Sequence, residues 1–211
     1  MITEEQFRFL DDLFKYYNSK LFDSKLKDCI IITNRKKDVP GHFSSLSWKV
    51  KGRKKFNIHE ISLNPDFFNN PAEEWHAVLV REMVCMWQKI FGELSPNSRY
   101  YNKQWAQKME EIGLMPSSTG KPGGEKTGRE IKHYIVPDGL FMKAFNGLAE
   151  KQIKYVPALT IQKDKKTTSK TKYTCPCNNK VWGKPNLIII CGVCNKKYEE
   201  VVKETKKTVM A

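Results

Sequence analysis

The spacing of apolar residues changes along the chain, and each change marks an element. Behind a capping-box pattern at Thr3-Glu4-Glu5-Gln6, the residues Phe7, Leu10, Leu13, Phe14 and Tyr17 recur at helical intervals on one face. That pattern predicts a helix covering a core. Between residues 29 and 63 the period shortens to that of extended chain. Segments 29–33, 41–48 and 56–63 read as three strands, separated by basic turns such as residues 49–55.

Helical spacing returns at residue 70. Asn70 suits the N-cap, Pro71 the first position, Glu73 and Glu74 the positive end of the helix, and Gly92 its stop. A shorter helix over 102–112 would turn Trp105, Met109 and Ile112 inward and stop at Gly113. The Gly-rich run 120–128 misses a phosphate-binding loop. Glu125 stands where a Gly must precede Lys-Thr, and no strand is expected before it. A structural or substrate-contacting loop is the better reading. Asp138 can cap a last helix to about residue 150, and the polar, Lys/Thr-rich residues 163–172 read as a linker. The expected organisation is a first domain over 1–150, a basic linker over 151–172, a cysteine module over 173–199 and a basic tail over 200–211.

A chain of 211 residues can bury one core and a small satellite module. No apolar run approaches the ~18 residues of a membrane helix, and the acidic, amphipathic start is unlike a signal peptide. A cytoplasmic protein without membrane contact is expected. Its thiols would be reduced, so clustered cysteines point to metal before disulfides. The net charge of +14 is lopsided: residues 151–211 hold fourteen lysines against four acidic residues. Such an asymmetry is either a solvated tail or an electrostatic footprint for nucleic acid.

Two stretches carry candidate chemistry. The first is Arg81-Glu82-Met83-Val84-Cys85, in the middle of the long helix. In the zinc-protease frame H-E-x-x-H, two imidazoles at i and i+4 bind the metal and the Glu is the general base. Here Glu82 is present, but Arg81 and Cys85 occupy the imidazole positions. Arg keeps its proton and repels a dication, so position 81 cannot be a ligand. Cys85 reads as a small buried hydrophobe. As a nucleophile it would need a nearby His, and His76 is two and a half turns away.

The second stretch pairs Cys175-Pro176-Cys177 with Cys191-Gly192-Val193-Cys194 across a predicted hairpin. Two cysteine knuckles at this spacing make a zinc ribbon, in which four thiolates close a structural site. The first knuckle is one residue tighter than the usual C-x-x-C. Metal binding would supply most of the folding free energy of so short a segment. On the hairpin, Trp182 is either the ribbon's own core or an exposed ring for base stacking. In the second case Lys180 and Lys184, with Lys196 and Lys197, would contact phosphates.

The order of elements, together with Ile61-Ser62-Leu63-Asn64-Pro65, Tyr101-Asn102-Lys103-Gln104-Trp105, the run from Gly113 to Gly120, His133-Tyr134-Ile135 and the ribbon with Trp182-Gly183-Lys184-Pro185, resembles the SprT-like family of zinc metalloproteases. The resemblance covers nearly the whole chain. It implies an α+β, zincin-like fold with a small antiparallel sheet and a central motif helix, followed by the zinc ribbon. Family members linked to DNA repair cleave proteins crosslinked to DNA, using zinc held by three His. Carried over, the ligands fall on Arg81, Cys85 and Tyr101 and the base on Glu82, so every ligand is substituted. The implied protein is therefore a degenerate protease centre with one structural zinc, binding DNA or DNA-associated protein. Alternatives are an active protease with unusual ligands and a protein that binds a peptide without cutting it.

Overall fold

The computed structural model describes residues 1–49, 51–52, 57–95, 100–158 and 170–201. The chain divides into two compact units, Met1–Leu159 and Thr160–Ala211. Among the described residues the architecture is mixed α+β, with four α-helices and three small sheets.

The first unit is built around α2 (Ala72–Phe91), which is buried along nearly its whole circumference, from Trp75 and His76 to Val84 and Met86. An apolar surface that wide must be covered on several sides. α1 (Ile2–Leu21), α3 (Lys103–Ile112) and α4 (Leu140–Asn146) all touch it, and so do strands β2 (Gly41–Lys49) and β3 (Asn57–Leu63). β2 can approach because it begins at Gly41. A Cβ there would lie 2.5 Å from Val78 Cγ1.

The helix boundaries differ locally from the predicted ones. α1 begins at Ile2, and Phe7 lies at the edge of its buried face, 37 % exposed. α2 is capped by Pro71, whose extended ψ of 138° blocks an earlier start. Asn70 instead donates to the Glu74 carboxylate at 3.2 Å. α3 is capped by Asn102, which accepts from the Trp105 N–H at 3.0 Å, and ends at Gly113 with φ of 89°. Gly113 also lies against Gly139, where a Cβ would meet Cα at 2.7 Å. α4 stops at Asn146, short of residue 150, and is preceded by Gly139 rather than Asp138.

The main sheet has the order β1-β3-β2, where β1 is Cys29–Thr33. It is not the antiparallel sheet expected from the sequence: β3 pairs antiparallel with β2 but parallel with β1. β3 takes the centre because its residues Ile61, Ser62 and Leu63 are all buried, which an edge position would not allow. A second sheet, absent from the sequence reading, pairs β4 (Leu114–Ser117) with β5 (Lys132–Ile135). The Gly-rich loop connects them.

Residues 151–158 belong to the first unit and are not linker. Ile153 is buried, Lys154 pairs with Glu5, and backbone carbonyls of Lys151 and Tyr155 accept from His76 and Gln6. Half of the expected linker (159–169), the tail from residue 202, and residues 50 and 53–56 lie outside the described residues.

The second unit has a three-stranded sheet with the order β7-β6-β8, formed by β6 (Thr171–Thr174), β7 (Lys180–Gly183) and β8 (Glu199–Glu200). Its small core is Tyr173, Cys175, Cys191 and Tyr198.

Candidate functional site

The centre of the first unit lies on the face of α2 that looks toward α3 and the Gly-rich loop. Arg81 Nη1 donates to Glu82 Oε1 at 2.6 Å, and Nη2 donates to the Tyr101 hydroxyl at 2.7 Å and the Ile131 carbonyl at 3.3 Å. The guanidinium also lies over the rings of Tyr101 and Trp105, 4.9 and 5.8 Å from their centroids. Tyr101 is held in place by a two-way backbone bridge to Gly128, at 2.8 and 3.1 Å. The Gly-rich loop therefore has a structural part in this centre. Its other end is closed on itself by Ser117, Thr119 and the Lys121 carbonyl.

Electrostatics at this centre follow from burial. Desolvation works against the Arg81 charge, but Glu82, Tyr101 and Cys85 together outweigh it and the guanidinium stays protonated. Burial pushes the Cys85 thiol up to about 12, with the Glu82 charge adding to it, and pushes Tyr101 up to about 12 as well. A thiol so protonated is no nucleophile near neutral pH. His133, on β5, is held down at about 4 by burial and by Arg81. His76 is occupied elsewhere. Its Nε2 is 3.0 Å from the Lys151 carbonyl, which can only accept, so Nε2 carries the proton. Nδ1 then accepts from the Tyr17 hydroxyl at 2.8 Å. Burial keeps His76 neutral, at about 4.

The chemistry this arrangement offers is limited. The space between the Glu82 carboxylate and the Tyr101 hydroxyl is filled by a cation that cannot leave, so the residues present do not fit a metal ion. Beside it runs a cavity of ≈ 530 Å³ lined by the edge strand β2 at His42–Ser45 and by Glu82, Cys85 and Tyr101.

In the second unit Cys175, Cys177, Cys191 and Cys194 converge, with all four sulfurs within 4.8 Å of one another. Neighbouring Sγ atoms are 3.1, 3.4 and 3.6 Å apart, far beyond a disulfide's roughly 2.05 Å. Such a cluster could hold a metal ion. Backbone N–H groups of Cys194 and Val193 point at Cys191 Sγ and hold that thiol well below its ordinary range. Cys194 is lowered by the Cys175 thiol and by the Lys196 N–H. Asn179 adds a side-chain N–H to Cys177 Sγ at 3.4 Å.

The knuckle geometry explains the unequal cysteine spacing. The first knuckle closes with Cys175 N–H to the Asn179 carbonyl at 2.9 Å and Asn178 N–H to the Cys175 carbonyl at 2.7 Å. The second repeats the pattern with one more residue, Cys191 to Lys196 and Asn195 to Cys191, each at 2.8 Å. Asn178 and Asn195 both adopt left-handed backbone, φ 67° and 54°. That conformation is tolerated best by Gly and Asn. The sequence reading missed both, although an Asn follows the second Cys of each pair. The expected contact residues Lys180, Trp182, Lys184, Lys196 and Lys197 are all exposed. Trp182, at 60 % exposure, is no part of the ribbon's core.

No family model, curated protein or solved structure matches the chain. Fold and sites together define a mixed α+β protein with a buried guanidinium–carboxylate centre and a separate four-thiol cluster able to hold a metal ion. Among the described residues no helix is long and apolar enough to cross a membrane.

Proposed function

We propose that the first unit is a zincin-like domain of SprT-like type whose catalytic metal has been replaced by the Arg81 guanidinium, and that the protein binds DNA or DNA-associated protein without cleaving it. One observation carries this reading. Arg81 bridges the Glu82 carboxylate and the Tyr101 hydroxyl, the positions that the resemblance assigns to the general base and the third ligand. Glu82 is then the anion of a structural ion pair, and nothing at the centre activates water.

The ion for the second unit is zinc. A tetrahedron of Zn–S bonds of about 2.3 Å has edges near 3.8 Å, close to the sulfur separations of 3.1 to 3.6 Å. Cys175, Cys177, Cys191 and Cys194 would hold it as thiolates, and its chemistry there is structural because the protein fills all four positions. The exposed Trp182 ring and the lysines around it support nucleic acid as the partner of this unit.

Zinc stoichiometry on purified protein tests the proposal. One zinc per chain is expected. Two, with protease activity lost on Glu82→Gln, would overturn it. A second reading, capture of an extended peptide beside Glu82 and Cys85, is favoured by the cavity along the free edge of β2.

A further inference from the structure

The first unit has a basic stretch of sequence that the proposed function does not use. Residues 25–55 hold ten Lys and Arg against Asp28 and Asp38, while the other residues of the first 150 sum to −4. A stretch of sequence this unevenly charged points to a polyanion as ligand.

Of its cations, Lys27, Lys36, Lys37, Lys49 and Lys51 are described and stand at the ends of the strands of an uncovered sheet. Strand register and alternation place His59, Ile61, Leu63 and Phe43 on the face toward α2. The opposite face carries Ile30 and Ile32 of β1, Ile58, Glu60 and Ser62 of β3, and His42, Ser44 and Trp48 of β2. No helix covers it among the described residues. Trp48 is 42 % exposed, and its indole N–H donates to Glu60 at 2.6 Å, which fixes the ring on the face. Glu60 is the one acidic side chain there, and that bond engages it.

Cations stand at both ends of the strands. At one end is the loop carrying Lys36 and Lys37, pinned by buried Asn64, whose side chain donates to the Lys36 and Val39 carbonyls at 2.8 and 3.1 Å. Lys36 also borders a polar hollow of ≈ 220 Å³ with His42, Ser44 and Ser62. At the other end are Lys27, Lys49 and Lys51. None of these five lysines pairs with a carboxylate among the described residues. Their charges are therefore available to a ligand.

We infer that this sheet face is a binding surface for single-stranded nucleic acid, with unpaired bases lying on Trp48 and the isoleucines and phosphates meeting Lys36, Lys37 and Lys51. The strands span roughly 20 Å, room for a few nucleotides. A duplex would bring its phosphates to the same lysines but keep its bases away from Trp48, so the exposed, immobilised ring favours the single strand. The inference shares only the class of ligand with the function proposed for the ribbon. The surface is a different one, in the other unit.

The test uses the full chain and labelled oligo(dT), oligo(U) and duplex probes of about twelve nucleotides, titrated across a salt series. In a ribbon variant, Lys180→Glu with Lys184→Glu and Trp182→Ala, binding to the single strands should persist. Adding Lys36→Glu, Lys37→Glu, Lys51→Glu and Trp48→Ala should then weaken it at least about tenfold and flatten the salt slope by about 2. Trp48→Phe in place of Trp48→Ala should restore part of the affinity. Comparison of dT with U separates DNA from RNA as the ligand. Unchanged affinity and slope in the sheet variant, loss of all binding in the ribbon variant, or equal binding of the duplex would each overturn the inference. Failure of the ribbon reading would show differently, as a ribbon variant that binds like the wild type. Should the glutamate set unfold the chain by circular dichroism, the same substitutions to Gln carry the test.

Discussion

Arg81 carries its charge into a pocket where its own side chain is 17 % exposed and that of Glu82 only 3 %, so removing either partner strands the other. Arg81→Ala should destabilise the first unit by about 3–5 kcal/mol, read as a lower urea midpoint. Glu82→Gln added to it should recover part of that loss, because the stranded anion is gone. A strictly additive double mutant would show that the two side chains are not coupled. His76 gives a pH signature at the same scale. Its folded-state value of about 4 lies below the 6.5 of an accessible imidazole, so the unfolded chain takes up the proton first as pH falls. The neutral-His contribution is complete above 6.5 and is lost between 6.5 and about 4, on the order of 3 kcal/mol. His133, also held at about 4, acts in the same direction. Unfolding followed by fluorescence of the buried Trp75 and Trp105 at pH 7, 5 and 4 measures this. Stability independent of pH over that window would contradict the buried, neutral imidazole.

Among the elements, the two cysteine knuckles are the least able to stand without a ligand. The ribbon core is four residues, two of them cysteines, whereas the first unit buries a contiguous cluster from Leu10 to Ile153. Cys191→Ser should therefore release the metal and unfold the ribbon while the first unit keeps its own transition. Full retention of metal in that variant would refute the four-thiol site. The connection Gly113–Gly139 tests packing in the first unit. Gly113→Ala forces a side chain into left-handed backbone and against Gly139. It should cost about 2 kcal/mol or more, seen as a fall in Tm.

For the molecule as a whole, the separation into two units decides how truncation is read. A cut at residue 150 would remove Lys151–Pro157, whose backbone satisfies His76, Gln6 and Asn69. The clean cut is after residue 158. A chain ending there should keep its fold, lose the metal, and retain only the salt-dependent binding of the sheet face. On the proposed reading, introducing imidazoles with Arg81→His, Cys85→His and Tyr101→His should raise the metal content by one ion per chain. No gain would mean that the three positions do not converge on a metal-sized site.

Much of this was legible in the sequence. Helical and extended periodicities located α1, α2, α3 and the first three strands to within a residue or two, because each buries one face or stripe and so repeats its apolar residues. The cysteine spacing pointed to the thiol cluster for the same local reason. That position 81 cannot be a metal ligand was readable too, since a guanidinium keeps its proton. Tertiary structure alone decided the rest. Strand order is set by which strand is covered on both sides, and a period of two is blind to that, so the parallel β1–β3 pairing was missed. β4 and β5 were missed because they are short and pair across a loop. The backbone bridge that holds Tyr101 against Arg81 depended on Gly128 arriving from a distant segment. Whether Trp182 and Trp48 face solvent depended on what folds over them, and an isolated residue in a sequence carries no record of its cover.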